Sequence, residues 1–242
     1  GSFRMPIYQS HRSHAAPSWV YKNTRKNALC ASMTDDGNGV INAYGGIPFP
    51  IAKTGLEVIW NHMLRWRGEY ATTQSSEATV QRNGSYSLVE SQIEVLFNYY
   101  TAGSYENLDN TIVYMLAFTR APARLAGGAM LIHEPLNQSK EHGGQPRSAW
   151  GYNSGQRRVR RAPSIAFDSP VPETSGLHTM DDYDMYNGST KRFDWTLIDR
   201  KEVYIPYNNY QLASNAIDYK DILQAGHINP DHTRYELHRV WV

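Results

Sequence analysis

The sequence predicts a mainly β protein of the α+β class, built on one large curved antiparallel sheet with a few helices over its concave face. Three observations carry that expectation. Alternating and β-branched segments follow one another through short turns, the pattern of antiparallel meanders. No βαβ alternation interrupts them, which argues against a parallel sheet. One segment, 55–67, has the spacing of an amphipathic helix, and its wide apolar face needs a sheet to bury against. The 242 residues suffice for a sizeable core, and a single domain over 1–242 is expected.

Residues 1–54 are rich in Pro, Gly, Asn and Ser. Gly37-Asn38-Gly39 and the run 45–50 are turn and extended signals, so this segment reads as an irregular N-terminal arm. A short helix is expected at 18–28, after Pro17. In 55–67, Leu56, Ile59, Trp60, Met63, Leu64 and Arg67 recur at three- and four-residue spacings. Thr54 is the expected N-cap, with Glu57 three residues on to complete a capping box, and Gly68 is the expected stop. Strands are expected at 86–99, 111–120, 128–133, 147–152 and 157–161, with weaker candidates at 194–198 and 202–205. The last segment, 235–242, alternates cleanly, with Tyr235, Leu237, Arg239 and Trp241 on one face. An insertion at 162–194 separates these strands, and within it 176–188 reads as a short helix bounded by glycines.

Composition narrows the function classes. A net charge of +1 argues against nucleic acid as the main partner, because phosphate neutralisation calls for a basic excess. The single cysteine, Cys30, permits no internal disulfide and no cysteine-based metal motif. No run of about 18 apolar residues offers a membrane-spanning helix. The 17 Tyr and 6 Trp fit half-buried strand faces or, alternatively, an aromatic-lined cavity for an apolar ligand.

Catalytic, metal and cofactor motifs are missing. There is no Gly-x-Ser-x-Gly elbow, no His-Glu-x-x-His, no Walker loop and no Gly-x-Gly-x-x-Gly fingerprint. The acidic run Asp181-Asp182-Tyr183-Asp184 lacks the spacing and central glycine of an EF-hand. No catalytic residue, metal ligand or cofactor is assigned. His133 beside Glu134 is a poor dyad, because neighbours in a strand face opposite ways.

The run Gln156-Arg157-Arg158-Val159-Arg160-Arg161 is the strongest local feature. In a strand, Arg158 and Arg160 point one way and Arg157, Val159 and Arg161 the other. If one face is core, one row of guanidinium groups must find carboxylates or line a wet cavity. A structural network with Asp181, Asp182 and Asp184 is the favoured reading, since the arginine fork matches a carboxylate. Binding of an anionic head group is the alternative.

The run 150–161, followed by residues 180–186, resembles bacterial proteins described as outer-membrane lipoprotein-sorting proteins. The stretches 45–50, 55–62 and 204–210 resemble more closely one subset, a family of unknown function from Pseudomonas-like Gram-negative bacteria. The resemblance covers most of 3–242. It implies a LolA/LolB-like fold, an unclosed antiparallel half-barrel with helices over its mouth. It also implies a periplasmic mature protein, associated with the outer membrane, whose export signal lies outside this sequence; the Gly1-Ser2 opening reads as a trimmed end. It supplies no catalytic residue. The arm 1–54 and the insertion around 162–194 are unlike a lipoprotein carrier, and either could cover the cavity.

The expected function is therefore binding or carriage of a lipid, a lipoprotein acyl chain or another hydrophobic molecule, without catalysis. Trp60, Trp66, Ile112, Tyr114, Leu116 and Phe118 are the expected cavity lining, with Arg158 and Arg160 at its mouth and the 55–67 helix as its plug. The rival reading is a non-catalytic adaptor that docks to a membrane transport partner through the arm 1–54. A remoter one is an enzyme whose site has no motif form.

Overall fold

The computed structural model describes residues 3–162, 167–171, 174 and 176–242. The chain opens with strand β1 (Ile7–Tyr8), helix α1 (Ser18–Cys30), a small hairpin of β2 (Ser32–Met33) and β3 (Val40–Ile41), and helix α2 (Gly55–Met63). Then come β4 (Tyr70–Val80), β5 (Tyr86–Leu96), the short helix α3 (Asn98–Thr101), β6 (Thr111–Ala121), β7 (Ala129–Pro135), β8 (Ser148–Asn153) and β9 (Arg158–Ala162). The C-terminal part holds β10 (Arg200–Pro206), α4 (Tyr219–Ile222), the two-residue strands β11 (Leu223–Gln224) and β12 (His227–Ile228), and β13 (Tyr235–Trp241).

These elements form two compact units: Ala16–Glu77 with Leu88–Thr196, and Gly1–Ala15 with Ala78–Ser87 and Leu197–Val242. The larger unit is built on a six-stranded sheet in the order β4-β5-β6-β7-β8-β9. The pairings from β5 through β9 are antiparallel. The sheet is unclosed, with β4 and β9 as its edges. The mainly β, antiparallel expectation holds. Among the described residues no helix is long and apolar enough to cross a membrane.

Helix α2 begins with the expected capping box. Thr54 Oγ1 accepts from Glu57 N–H at 3.2 Å, and Glu57 Oε2 accepts from Thr54 N–H at 3.1 Å. The helix is shorter than its 55–67 periodicity. At its last turn the His62 carbonyl, which also accepts from the Arg65 N–H at 3.4 Å, takes a further hydrogen bond from Arg65 Nη1 at 2.7 Å. Trp60 is 2% exposed, and it clusters with Val20, Val40, Ala43, Tyr99, Tyr100, Leu108, Ile112 and Leu136. Trp66 packs on this core, edge-on to Trp19 and Tyr100 at 5.4 and 4.8 Å.

Residues 16–54 do not form an arm outside the fold; they put Val20, Val40 and Ala43 into the core. Gly46 allows this packing, since a Cβ there would lie 2.5 Å from Thr24 N on α1. Two local expectations fail: residues 176–188 form turns rather than a helix, and 194–198 is not a strand. In addition, 70–80 is a strand the pattern did not announce.

The smaller unit carries a three-stranded sheet, β1-β13-β10, with β1 parallel and β10 antiparallel to β13. At its centre the Glu236 carboxylate is fully buried. It accepts hydrogen bonds from His11 N–H, Asn208 Nδ2, Arg234 Nε and His238 Nε2 at 2.9–3.0 Å. Burial works to raise its pKa, but these donors outweigh burial and hold it down at about 2. The folded pKa lies below the unfolded value near 4.5. The stabilisation is therefore fully present above about pH 4.5 and is lost as pH falls from there toward 2. Acid unfolding of Glu236→Gln, followed by circular dichroism, is expected to lose this slope. An unchanged acid limb would remove Glu236 from the account.

Candidate functional site: a cavity on one face of the six-stranded sheet

The larger unit contains a cavity of about 680 Å³, within the size range of small-ligand sites. Strand register determines its floor. Met115 pairs with Ile132, Ala117 with both Ile93 and Met130, Met130 with Gly151, Gly151 with Arg160, and Asn153 with Arg158. Directly paired residues share a face. Ile93, Met115, Ala117, Met130 and Ile132 therefore make an apolar floor, and Arg158 and Arg160 stand on the same side at the β9 edge. Gly151 leaves room, because nothing lies within 4 Å of where its Cβ would be.

The floor runs into the core at one end. Val95 and Val113 pack on the core cluster and Leu136 belongs to it. At that closed end Glu134 and Arg147 line the cavity. Arg147 Nε lies 2.5 Å from Glu134 Oε1, and their side chains are 3% and 10% exposed. Asn187 binds both partners: its Nδ2 donates to Glu134 Oε1 at 3.3 Å, and its carbonyl accepts from Arg147 Nη2 at 2.8 Å. The open end carries Arg124, Arg158 and Arg160, all exposed.

The opposite wall is not helix α2. It is the turn-rich segment that includes His178, Met180, Tyr183 and Asn187. This strap is fastened at several points. Asp181 pairs with Arg192. Asp184 takes Arg65 Nη2 on Oδ1 at 2.5 Å and Arg67 Nη1 on Oδ2. Its carbonyl accepts from His62 Nε2 at 2.9 Å, which places the imidazole proton on that nitrogen. Burial, reinforced by the Arg65 charge, lowers the His62 pKa. Thr190 Oγ1 donates to Gly37 O at 2.8 Å, and Lys191 Nζ lies 2.6 Å from Asp36. Gly55 permits the docking of the far end, since a Cβ there would meet the Trp195 backbone at 2.5 Å.

The strap includes two consecutive left-handed residues, Asp184 (φ 59°) and Met185 (φ 72°). Such a turn persists only when its surroundings over-determine it. Asp184→Ala is expected to loosen the strap at a cost of about 1–2 kcal/mol. That lies between surface and buried pairs, because all three side chains are about a third exposed. Amide exchange in 177–187 should quicken while the β6 and β7 amides hold. Unchanged strap protection would mean the ion pair is not its fastener.

The expected site residues separate into three groups. Arg158 and Arg160 line the cavity. Trp60, Trp66 and Ile112 belong to or pack on the core. Tyr114, Leu116 and Phe118 occupy the other face of the sheet, because Met115, Ala117 and Thr119 take the cavity side of β6. On that other face, His133 lies edge-on to Tyr114 and tilted against Trp150, with ring centres 4.6 and 4.8 Å away, and Arg161 lies 5.9 Å from the Trp150 ring centre. Burial lowers the His133 pKa. His133 and Glu134 thus point to opposite faces.

The expected pairing of Arg158 and Arg160 with the 181–184 carboxylates is corrected. Asp181 and Asp184 do bind arginines, but these are Arg192, Arg65 and Arg67. Asp182 instead accepts from Thr179 N–H at 2.9 Å. Among the described residues neither Arg158 nor Arg160 has an ion-pair partner, and no cluster of three or more His, Cys, Asp or Glu is placed to hold a metal. Sequence reasoning weighed Glu134 only as half of a poor dyad with His133, and missed Arg147 and Asn187. A carboxylate in a mainly apolar strand was the signal that could have found them.

A family model described as a protein of unknown function, DUF1329, matches residues 1–242. The chain belongs to that family. A Pseudomonas aeruginosa protein described as uncharacterized is 47% identical to this DUF1329 chain over 241 residues. The match covers 99% of the chain and 52% of that protein, so the chain spans about half the length of this curated relative. Two solved structures are similar to parts of the DUF1329 chain. One is a domain from Vibrio parahaemolyticus described as a candidate outer membrane lipoprotein-sorting protein domain. It has a TM-score of 0.40 and 15% identity, over 61% of this chain and 54% of that one. The other is a DUF1329 family protein from Desulfovibrio piger, with a TM-score of 0.40 and 14% identity, over 57% of this chain and 50% of that one.

Proposed function

We propose that the chain is a binding protein for an amphipathic, lipid-like molecule, and that it acts by holding this ligand rather than by transforming it. The apolar body of the ligand lies on the Met115, Met130 and Ile132 floor. Arg158 and Arg160 receive its anionic group. The observation that carries this reading is a cavity of about 680 Å³ with an apolar floor, opening beside two arginines that have no ion-pair partner among the described residues. An unpaired guanidinium is a ready bidentate receptor for carboxylate or phosphate. Burial of each methylene contributes roughly 0.8 kcal/mol, so even a short acyl chain binds well on such a floor. A lipid or a lipoprotein acyl chain is the cargo class, and the periplasm of a Gram-negative cell is the proposed location.

Native mass spectrometry of the gently purified protein, with organic extraction of whatever is bound, tests the reading. A lipid-sized adduct is expected, lost when Ala117 is replaced by Trp to fill the floor. A bare mass, together with no uptake of a fluorescent fatty acid, would reject the binding role in favour of an adaptor docked on a membrane partner.

A further inference from the structure

The closed end of the cavity makes its own demand on the ligand. Arg147 is 3% exposed, and its guanidinium sits 4.5 Å over the Phe167 ring. Nε lies 2.5 Å from Glu134 Oε1 as an ion pair without the alignment of a hydrogen bond, and Nη2 donates to Asn187 O. Nη1 is buried in a residue of the cavity wall and has no hydrogen-bond acceptor among the described residues. Buried donors of this kind are nearly always satisfied, and a charged one left bare is costly.

Charge selects the acceptor that fits. Glu134 already neutralises Arg147 at 2.5 Å. A second carboxylate brought to Nη1 would meet the Glu134 charge in a poorly screened pocket. A neutral oxygen, as in a hydroxyl, ketone or ester, meets the donor without that repulsion. Geometry then sets the length of the ligand. Arg147 immediately precedes β8, whereas Arg160 and Arg158 stand opposite Gly151 and Asn153. At about 3.3 Å per residue the two polar ends are roughly 13–20 Å apart.

We propose, resting on the binding role above, that Arg147 Nη1 recognises a neutral oxygen at the inner end of the ligand. Glu134 and Asn187 act as positioning residues for the guanidinium. The ligand class is an extended apolar molecule with an anionic group at the arginine rim and a neutral oxygen at its far end, such as an ω-oxygenated fatty acid. A site built around a buried donor discriminates against analogues that leave it bare.

The test is displacement of a fluorescent fatty acid from the full chain by palmitate and by ω-hydroxypalmitate. The hydroxylated probe is expected to bind at least about tenfold more tightly, a difference of ~1.4 kcal/mol. The double substitution Glu134→Leu with Arg147→Met is expected to bring the two affinities together. Equal affinities in the unmodified protein overturn the inference while the binding role stands, and this comparison needs no variant to fold. A preference that survives the double substitution also overturns it. Binding of neither probe removes both the inference and the binding role.

Discussion

Replacing Trp60 with alanine is expected to destabilise the larger unit by about 3–5 kcal/mol, the range for deleting a buried aromatic. Trp60 is 2% exposed and sits where α2 meets Val40, Tyr99 and Leu136. The surrounding helix and strands can collapse only partly into the void. Its Nε1 also donates to Gly37 O at 3.0 Å, but that carbonyl keeps Thr190 Oγ1 as a second donor. Most of the loss should therefore be packing. Trp60→Phe separates the two contributions and should cost markedly less. Urea unfolding followed by circular dichroism measures both. A Trp60→Ala loss below about 1 kcal/mol would place Trp60 outside a close-packed core.

The second large effect is at the closed end of the cavity. Glu134→Ala leaves the Arg147 charge buried without its counter-ion, which should cost about 3–5 kcal/mol. Removing both charges together, by Glu134→Leu with Arg147→Met, should be near neutral, because neither group then has to be desolvated. The coupling between the two sites is the quantity to measure, as a double-mutant cycle in urea. Additive losses would show that the two charges are solvated separately, and the cavity would then lack a dry inner end.

Much of this architecture was legible in the residues. The strands at 111–121 and 235–241 and the capping box of α2 follow from β-branched runs, alternation and the Thr54–Glu57 spacing. The common face of Arg158 and Arg160 followed from their spacing of two. Strand β4 was not legible, because its Thr, Gln, Ser and Glu residues show neither alternation nor bulk. The cavity side of β6 was hidden for the opposite reason. Val113, Met115 and Ala117 are as apolar as Tyr114, Leu116 and Phe118, so alternation had no sign to give. Only the pairing of Met115 with Ile132, and of that strand with β8, decides which row faces the cavity. The acid–base partners were hidden because Asp184 reaches Arg65 and Arg67 across more than a hundred residues. Charge type signals that a carboxylate needs a partner, and folding geometry decides which one.

The position of β9 at the end of the sheet has a bearing on solubility. A terminal strand offers a row of open backbone groups, onto which another chain can add a strand and begin a fibril. Val159 is 64% exposed on this strand, a sticky residue at a vulnerable margin. Arg158, Arg160 and Arg161 flank it with positive charge. A second copy that docked the same strand alongside would bring like charges together at every turn of the register. The guanidinium groups along this edge thus work against strand addition by a neighbouring copy.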